Sequence, residues 1–300
     1  MKIYTTVLLG MVLTTKAWSC DVCGCAGMMM GFGDLSLYPQ NKIGVSYLSR
    51  TFYSALGNSD HFTQIEINGR YVISPRWSLK ASIPYLLGVK QGLENGSFTI
   101  SGIGDAQAKA SYIAYYGGNE SSNRKLTFSG GIFLPTGKFE DHSDRMLPQN
   151  FQLGSASWDY LLEGQYQLGE GNWVGMLQAQ YVINTLNPED YKFGNQTGAQ
   201  LTMAHKFGFP KWALVPLVSV SFEHFSKDVN ARGYYQYGTG GQSLALIAGA
   251  QIKTRNWLWT LRGGTNLMSN QGNYRPGPQV AISTSYLFNT SQNKFQTLKK

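Results

Sequence analysis

The chain has 300 residues and a formal charge of +8, with charged residues at only 14%, aromatics at 13% and 35 glycines. Soluble domains carry roughly 25% charge, so this composition argues against an ordinary soluble enzyme. A mean hydropathy of −0.23, with no apolar run past the N-terminus near the ~18 residues of a spanning helix, argues against a helical membrane protein. Lys and Arg are scattered rather than clustered, so no phosphate-tracking surface for nucleic acid is expected.

Lys2, the apolar run Ile3–Leu13 and the small residues Ala17 and Ser19 around Trp18 predict a secretory signal peptide over residues 1–19. Cleavage there starts the mature chain at Cys20 and, by removing Lys2 and Lys16, takes the charge from +8 to +6. Residues 20–40 then form a short periplasmic segment that holds all three cysteines, Cys20, Cys23 and Cys25, followed by Met28-Met29-Met30. Three readings stay open. Thiolates with thioether help suit copper or zinc, although C-x2-C-x-C lacks a second ligand pair at zinc-site spacing. An oxidising periplasm suits a disulfide that leaves one odd thiol. Lipidation of Cys20 is the third, against which Ala17 and Trp18 depart from the usual lipobox. The Met-Gly run equally suits an apolar plug in a barrel mouth.

From Asn41 onward, segments of about 10–14 residues alternate with period two, which predicts strand after strand. Thr63, Ile65, Ile67, Gly69, Tyr71 and Ile73 share one face, and Gln64, Glu66, Asn68 and Arg70 the other. Trp77, Leu79, Ala81, Ile83, Tyr85 and Leu87 oppose Ser78, Lys80 and Ser82. Ala106, Ala108, Ala110, Tyr112 and Ala114 oppose Asp105, Gln107 and Lys109. Trp158, Tyr160, Leu162, Tyr166 and Leu168 oppose Asp159, Glu163, Gln165 and Gln167. Trp257, Trp259, Leu261 and Leu267 oppose Thr260, Arg262 and Asn266, and Val280, Ile282, Tyr286 and Phe288 oppose Gln279, Ser283 and Ser285. About twelve such segments are expected over residues 41–289, an even number, with a tail over 290–300.

Connections alternate long and short: Gln91–Gly102, Pro135–Gly154, Thr185–Asp190, Ser226–Gly240 and Ser269–Gly277 against Ser74–Arg76, Gly169–Asn172, Gly208–Lys211 and Thr254–Asn256. Gly117–Asn123 is longer than a tight turn. Long extracellular loops and short periplasmic turns belong to outer-membrane barrels. A soluble β-sandwich also alternates, but its dry core does not suit faces carrying Glu, Arg, Lys, Asp and Gln. Trp77, Trp158, Trp173, Trp212 and Trp257 recur near segment starts, as in interfacial aromatic girdles. The expected fold is therefore an all-β, transmembrane, antiparallel up-and-down barrel in the outer membrane of a Gram-negative bacterium, with both termini periplasmic.

The inward charges Glu66, Arg70, Lys80, Asp105, Lys109, Asp159, Glu163, Glu223 and Arg262 line a polar path for a solute, or an ion-pair network that fills a narrow barrel. Their mixed signs argue against strong charge selectivity. Gly102-Ile103-Gly104-Asp105, Gly131-Ile132-Phe133-Leu134-Pro135-Thr136-Gly137-Lys138, Leu153-Gly154-Ser155-Ala156-Ser157-Trp158-Asp159 and Tyr191-Lys192-Phe193-Gly194 occur in that order. This series resembles the family labelled "putative MetA pathway of phenol degradation", over roughly Ile43 to Phe288. The resemblance implies an outer-membrane transporter for aromatic or other small hydrophobic compounds rather than an enzymatic step. Pro135 ends its strand where the longest loop begins, because it cannot donate to a ladder.

A barrel hydrolase is the enzymatic alternative. The four histidines are His61, His142, His205 and His224, none in the His-x-Ser-Asn-Gly type of arrangement of a barrel phospholipase. His142 sits in the acidic run Glu140–Asp144, a solvated loop or a divalent-cation site. No catalytic residue is expected, and no cofactor beyond copper or zinc at the cysteines. The expected partners are outer-membrane lipid, a small-molecule solute and the barrel assembly machinery, with Phe288 acting internally as the terminal aromatic.

Overall fold

The computed structural model describes residues 40–54, 59–93, 96–119, 122–139, 152–270 and 274–289. The signal peptide, the cysteine segment, the acidic run around His142 and the C-terminal tail lie outside them. The chain forms strands β1 (Asn41–Ser54), β2 (Ser59–Val72), β3 (Trp77–Leu93), β4 (Gly96–Ile103), β5 (Ala106–Gly118), β6 (Ser122–Leu134) and β7 (Asp159–Glu170). They continue as β8 (Trp173–Ile183), β9 (Gln196–His205), β10 (Phe207–Gly208), β11 (Ala213–Phe225), β12 (Gly241–Lys253), β13 (Trp257–Asn270) and β14 (Tyr274–Phe288).

Every pairing is antiparallel, and β1 pairs both β2 and β14, which closes the sheet into a barrel. The barrel has twelve staves with two extra pieces. One is β4, which lies on the upper part of β3 while β5 lies on the lower part. The other is β10, a two-residue continuation of β9 against β11. Closure gives each stave two hydrogen-bonded neighbours, which is what hydrocarbon demands of a backbone it cannot solvate.

The break between β4 and β5 has a local cause. Pro84 in β3 has no N–H to offer, and the ladder opens opposite it. Its carbonyl still accepts from Gly104 N at 2.9 Å. A Cβ at Gly104 would stand 2.9 Å from Leu86 Cδ1 and 3.1 Å from Pro84 Cγ, so a side chain there would have to push both aside.

Alternation sorts the side chains as the period-two pattern predicts. Ile67, Leu162 and Leu261 are 56–58% exposed, whereas the neighbouring Glu163 and Arg262 are 8% and 3% exposed. An apolar surface of this extent is unstable in water and suits lipid. In β5 the alternation lapses at Ala114, where the register slips against β6 between Ile113 and Tyr115, and Tyr115 and Tyr116 are both exposed.

The even stave count places Asn41 and Phe288 at one end, directly paired. The described turns there are residues 73–76, 171–172, 209–212 and 254–256, and β5 also reaches that end. Gly171 at φ 57° supplies the left-handed residue of a two-residue hairpin. Ser74 and Thr254 hydroxyls each accept the amide three residues on, Trp77 N at 3.1 Å and Trp257 N at 3.3 Å. Those turns set tryptophans at the rim, where Trp77 lies against Tyr112 at 4.8 Å and Trp257 against Tyr286 at 5.3 Å.

The opposite end carries the ends of β1, β3, β6, β8, β11 and β13 and the starts of the strands that follow them. Two expected connections are corrected. Most of Gln91–Gly102 is strand rather than loop, because β3 and β4 continue as a hairpin beyond the barrel rim. Gly117–Asn123 is mostly strand, since β5 runs to Gly118 and β6 begins at Ser122, and Asn119 Oδ1 accepts Ser122 N at 2.7 Å.

Candidate functional site: the barrel lumen and its loop end

The barrel encloses a cavity of about 230 Å³. Glu66, Lys80, Asp105, Lys109, Glu163 and Arg262 all line it, with Lys42, Gln64, Gln107, Gln165, Gln178, Gln180 and Gln251. Leu48, Phe133, Leu161 and Leu258 add apolar contact. Lys109 Nζ donates to Glu163 Oε2 at 2.7 Å, and Gln178 Nε2 donates to the same oxygen at 3.1 Å. Ser129 Oγ donates to the other oxygen at 3.3 Å. A buried carboxylate needs this many donors to offset its lost hydration.

Three expected lumen residues do not line this cavity. Arg70 turns toward the turn end and donates to the Gln40 carbonyl from Nε at 3.0 Å and Nη2 at 2.6 Å. Glu223 lines a second, smaller space of about 30 Å³ toward the loop end. There it interacts electrostatically with Arg50 across four strand steps of the barrel wall. Asp159 belongs to the loop described next. Arg50 and Lys42 are absent from the inward set read from the sequence. Their signal is plain in retrospect: both share the parity of Ser46 and Leu48 on β1.

The two described limbs of the β6–β7 connection, residues 135–139 and 152–158, meet the barrel at the β4–β5 break. Asp105 Oδ1 accepts Gly137 N at 2.9 Å, and its Oδ2 accepts Ser155 N at 2.6 Å and Ser155 Oγ at 2.9 Å. The two limbs of the loop cross so closely that a Cβ at Gly137 would lie 2.6 Å from Gly154 Cα. Thr136 Oγ1 accepts Ala106 N at 2.8 Å and donates to Gly104 O at 2.7 Å, bridging the broken strand. Asp159 accepts Ser157 Oγ at 2.8 Å and Thr185 N at 2.8 Å. Ala156 between them is held at φ 55°, a conformation that costs a non-glycine residue about 1 kcal/mol. The motifs around Gly104, Gly137 and Gly154 therefore describe one junction.

The fourth motif packs beside it. Asn187 Nδ2 donates to Ser155 O at 3.3 Å, and Asn187 Oδ1 accepts Tyr191 N at 2.9 Å. Asp228, fully buried in loop 226–240, accepts Gly194 N at 2.7 Å and the Tyr191 hydroxyl at 2.5 Å. Burial pushes the Asp228 carboxyl up to about 6, against the pull of those two donors. Paired backbone bonds between Lys192 and Val229 join the two loops, and Tyr191, Phe193 and Phe225 pack together with Phe139 against them. A second apolar group, Phe52, Phe62 and Leu86 with Phe98, Ile100 and Leu153, fills the lumen wall beneath the β3–β4 hairpin.

Among the described residues no group of three His, Cys, Asp or Glu side chains could hold a metal ion. Cys20, Cys23, Cys25 and His142 lie outside those residues.

A closed antiparallel barrel with an apolar outer surface, tryptophans at its rim and a polar lumen is a transmembrane barrel of the outer-membrane class. The chain matches, over residues 43–284, the family described as "Putative MetA-pathway of phenol degradation", and it belongs to that family. Among solved structures it is similar to the COG4313 outer membrane channel from Pseudomonas putida F1, with a TM-score of 0.67 at 17% identity. That match covers 85% of this chain and 98% of the other. It is also similar to the β domain of the Bordetella autotransporter BrkA, with a TM-score of 0.55 at 10% identity, covering 83% and 100%. At such identities the likeness is one of fold. No curated protein matches the sequence.

Proposed function

We propose that the chain is a passive outer-membrane channel for small solutes of aromatic or otherwise hydrophobic character, and not an enzyme. The observation that carries this reading is a closed barrel around a cavity whose wall mixes glutamines and charges with Leu48, Phe133, Leu161 and Leu258. Polar groups keep such a path hydrated while the apolar ones give a hydrophobic solute somewhere to rest. The family description, which names phenol degradation, and the channel fold of its Pseudomonas likeness point the same way. In this reading Glu66, Lys80, Lys109, Glu163 and Arg262 form the polar path, Arg70 and Asp159 brace its two ends, and Asp105 braces the loop while lining it. The turn end with both termini faces the periplasm, and the long loops face outward.

Single-channel conductance of the mature chain refolded into a planar bilayer tests it. Discrete, stable steps that phenolic solutes block are expected. A silent bilayer from folded barrel overturns open diffusion. A second reading rests on the sequence alone: the cluster Cys20, Cys23 and Cys25 makes the barrel a copper or zinc carrier. Stoichiometric, tight Cu(I) uptake by the reduced mature protein supports it, and its absence removes it.

A further inference from the structure

The described lumen narrows toward the loop end. On β1, β12, β13 and β14 the large cavity is lined by Leu48, Gln251, Arg262 and Ala281. Nearer the loops on the same four strands, Arg50, Ile247, Asn266 and Gln279 line the smaller space. The two spaces are thus stacked along one side of the barrel, and the volume falls from about 230 Å³ to about 30 Å³, room for roughly two waters. The wall between them has little slack: a Cβ at Gly264 would stand 3.0 Å from both Ile247 Cγ1 and Gln279 Nε2.

Two aromatic clusters flank the narrow part. Phe52 follows Arg50 on the inner face of β1 and packs with Phe62 and Leu86. Phe225 follows Glu223 on the inner face of β11 and packs with Tyr191 and Phe193 beneath the loops. Phe52 and Phe225 both line the small space. Each charge therefore sits one inward position from an anchored ring, since alternate residues of a strand share a face. β1 and β11 are separated in the sheet by β12, β13 and β14, so the pair faces across the space instead of lying side by side on the wall. Arg50 is buried and its Nε has no hydrogen-bond partner among the described residues; the charge it faces is Glu223.

We propose that Arg50 and Glu223 form the selective neck of the channel, which passes neutral dipolar solutes and holds back small ions of either sign. The proposal deepens the channel reading and rests on it. Opposite charges on facing walls set a field across the path. An ion drawn to one wall is repelled by the other, and it must also shed water to enter so small a space. A neutral alcohol or phenol meets no such conflict. Its O–H donates toward Glu223, its oxygen accepts from Arg50, and its hydrocarbon part rests against Phe52 and Phe225.

Reversal potentials under a KCl gradient, with the refolded mature chain in a planar bilayer, test the neck. The wild type should show little preference between potassium and chloride. Glu223→Gln should shift the permeability ratio about fivefold toward chloride, and Arg50→Gln about as far toward potassium, from Coulomb's law in a partly wetted space. The charge swap Arg50→Glu with Glu223→Arg should restore the wild-type ratio, and heat-modifiable migration in gels checks that each variant is folded. A strongly ion-selective wild type, or single variants that leave the ratio unchanged or move it in the same direction, overturns the neck and leaves the channel standing. The variant Arg50→Ala with Glu223→Ala covers a silent wild type. Conduction only in that variant overturns open diffusion and keeps the pair as the point of closure. Silence in both overturns both.

Discussion

Replacing Asp105 by Ala isolates the junction that ties the two described limbs of the β6–β7 connection to the barrel. The carboxylate accepts three hydrogen bonds, one from Gly137 and two from Ser155, so it holds both limbs of the loop at once. Hydrogen bonds to a charged group contribute roughly 1.5–3 kcal/mol each. Part of that sum only offsets the cost of burying the carboxylate, which leaves a net loss of about 3 kcal/mol. That corresponds to roughly a hundredfold rise in the population of the opened loop. The barrel ladders do not pass through Asp105, so the melting temperature in detergent should change little. Trypsin cleavage after Lys138, which sits on the loop beside Gly137, should accelerate by about that factor where opening equilibrates before cleavage. Asp105→Asn keeps one carbonyl acceptor and should fall between. Wild-type cleavage rates and wild-type current noise in Asp105→Ala would refute the argument that this carboxylate holds the loop.

Three further outcomes follow from the geometry. Lys109→Met should lower barrel stability by about 3–5 kcal/mol, because it strands Glu163 in the wall; the double variant with Glu163→Gln should recover most of this in detergent melts, and additive losses would refute the pairing. Leu162→Arg places a charge on the lipid face, where Leu162 is 56% exposed; a loss of about 2–4 kcal/mol is expected in lipid vesicles if that position lies near the bilayer midplane, and no loss would remove the assignment of that face. Asp228 has its carboxyl raised from an ordinary 3.8 to about 6, so the folded loops bind a proton more tightly than the unfolded chain does. The packing of loops 184–195 and 226–240 is then firmest below about pH 4 and loses on the order of 3 kcal/mol as pH rises through 6. Hydrogen exchange at Lys192 and Val229, corrected for intrinsic rates, should show this slope in the native chain and lose it in Asp228→Asn.

Much of the barrel is legible in the sequence, because a strand between lipid and water must alternate and each residue reveals its face by its polarity. Tyr160, Leu162 and Tyr166 against Asp159, Glu163 and Gln165 needed no tertiary information, and neither did the even stave count. The alternation of long and short connections was also readable, since turn length reflects which end of the barrel a segment must reverse at. Where it misled, at Gln91–Gly102, the segment does alternate, with Phe98 and Ile100 packed against Phe52, Phe62 and Leu86, but Gly92, Asn95, Gly96 and Gly102 give it the composition of a loop.

Which inward residues meet was decided by the tertiary structure. The parity of a strand says that Lys42, Arg70, Lys80 and Lys109 all face in; only the register between strands makes them neighbours. Likewise, Gly104, Gly137 and Gly154 belong to separate motifs along the chain. They become one junction because Pro84 interrupts a ladder and Asp105, placed between β4 and β5 at that break, gathers the amides of a distant loop. Polarity is a property of each residue and can be read one position at a time. Contact between strands depends on stagger and loop path, which no single segment encodes.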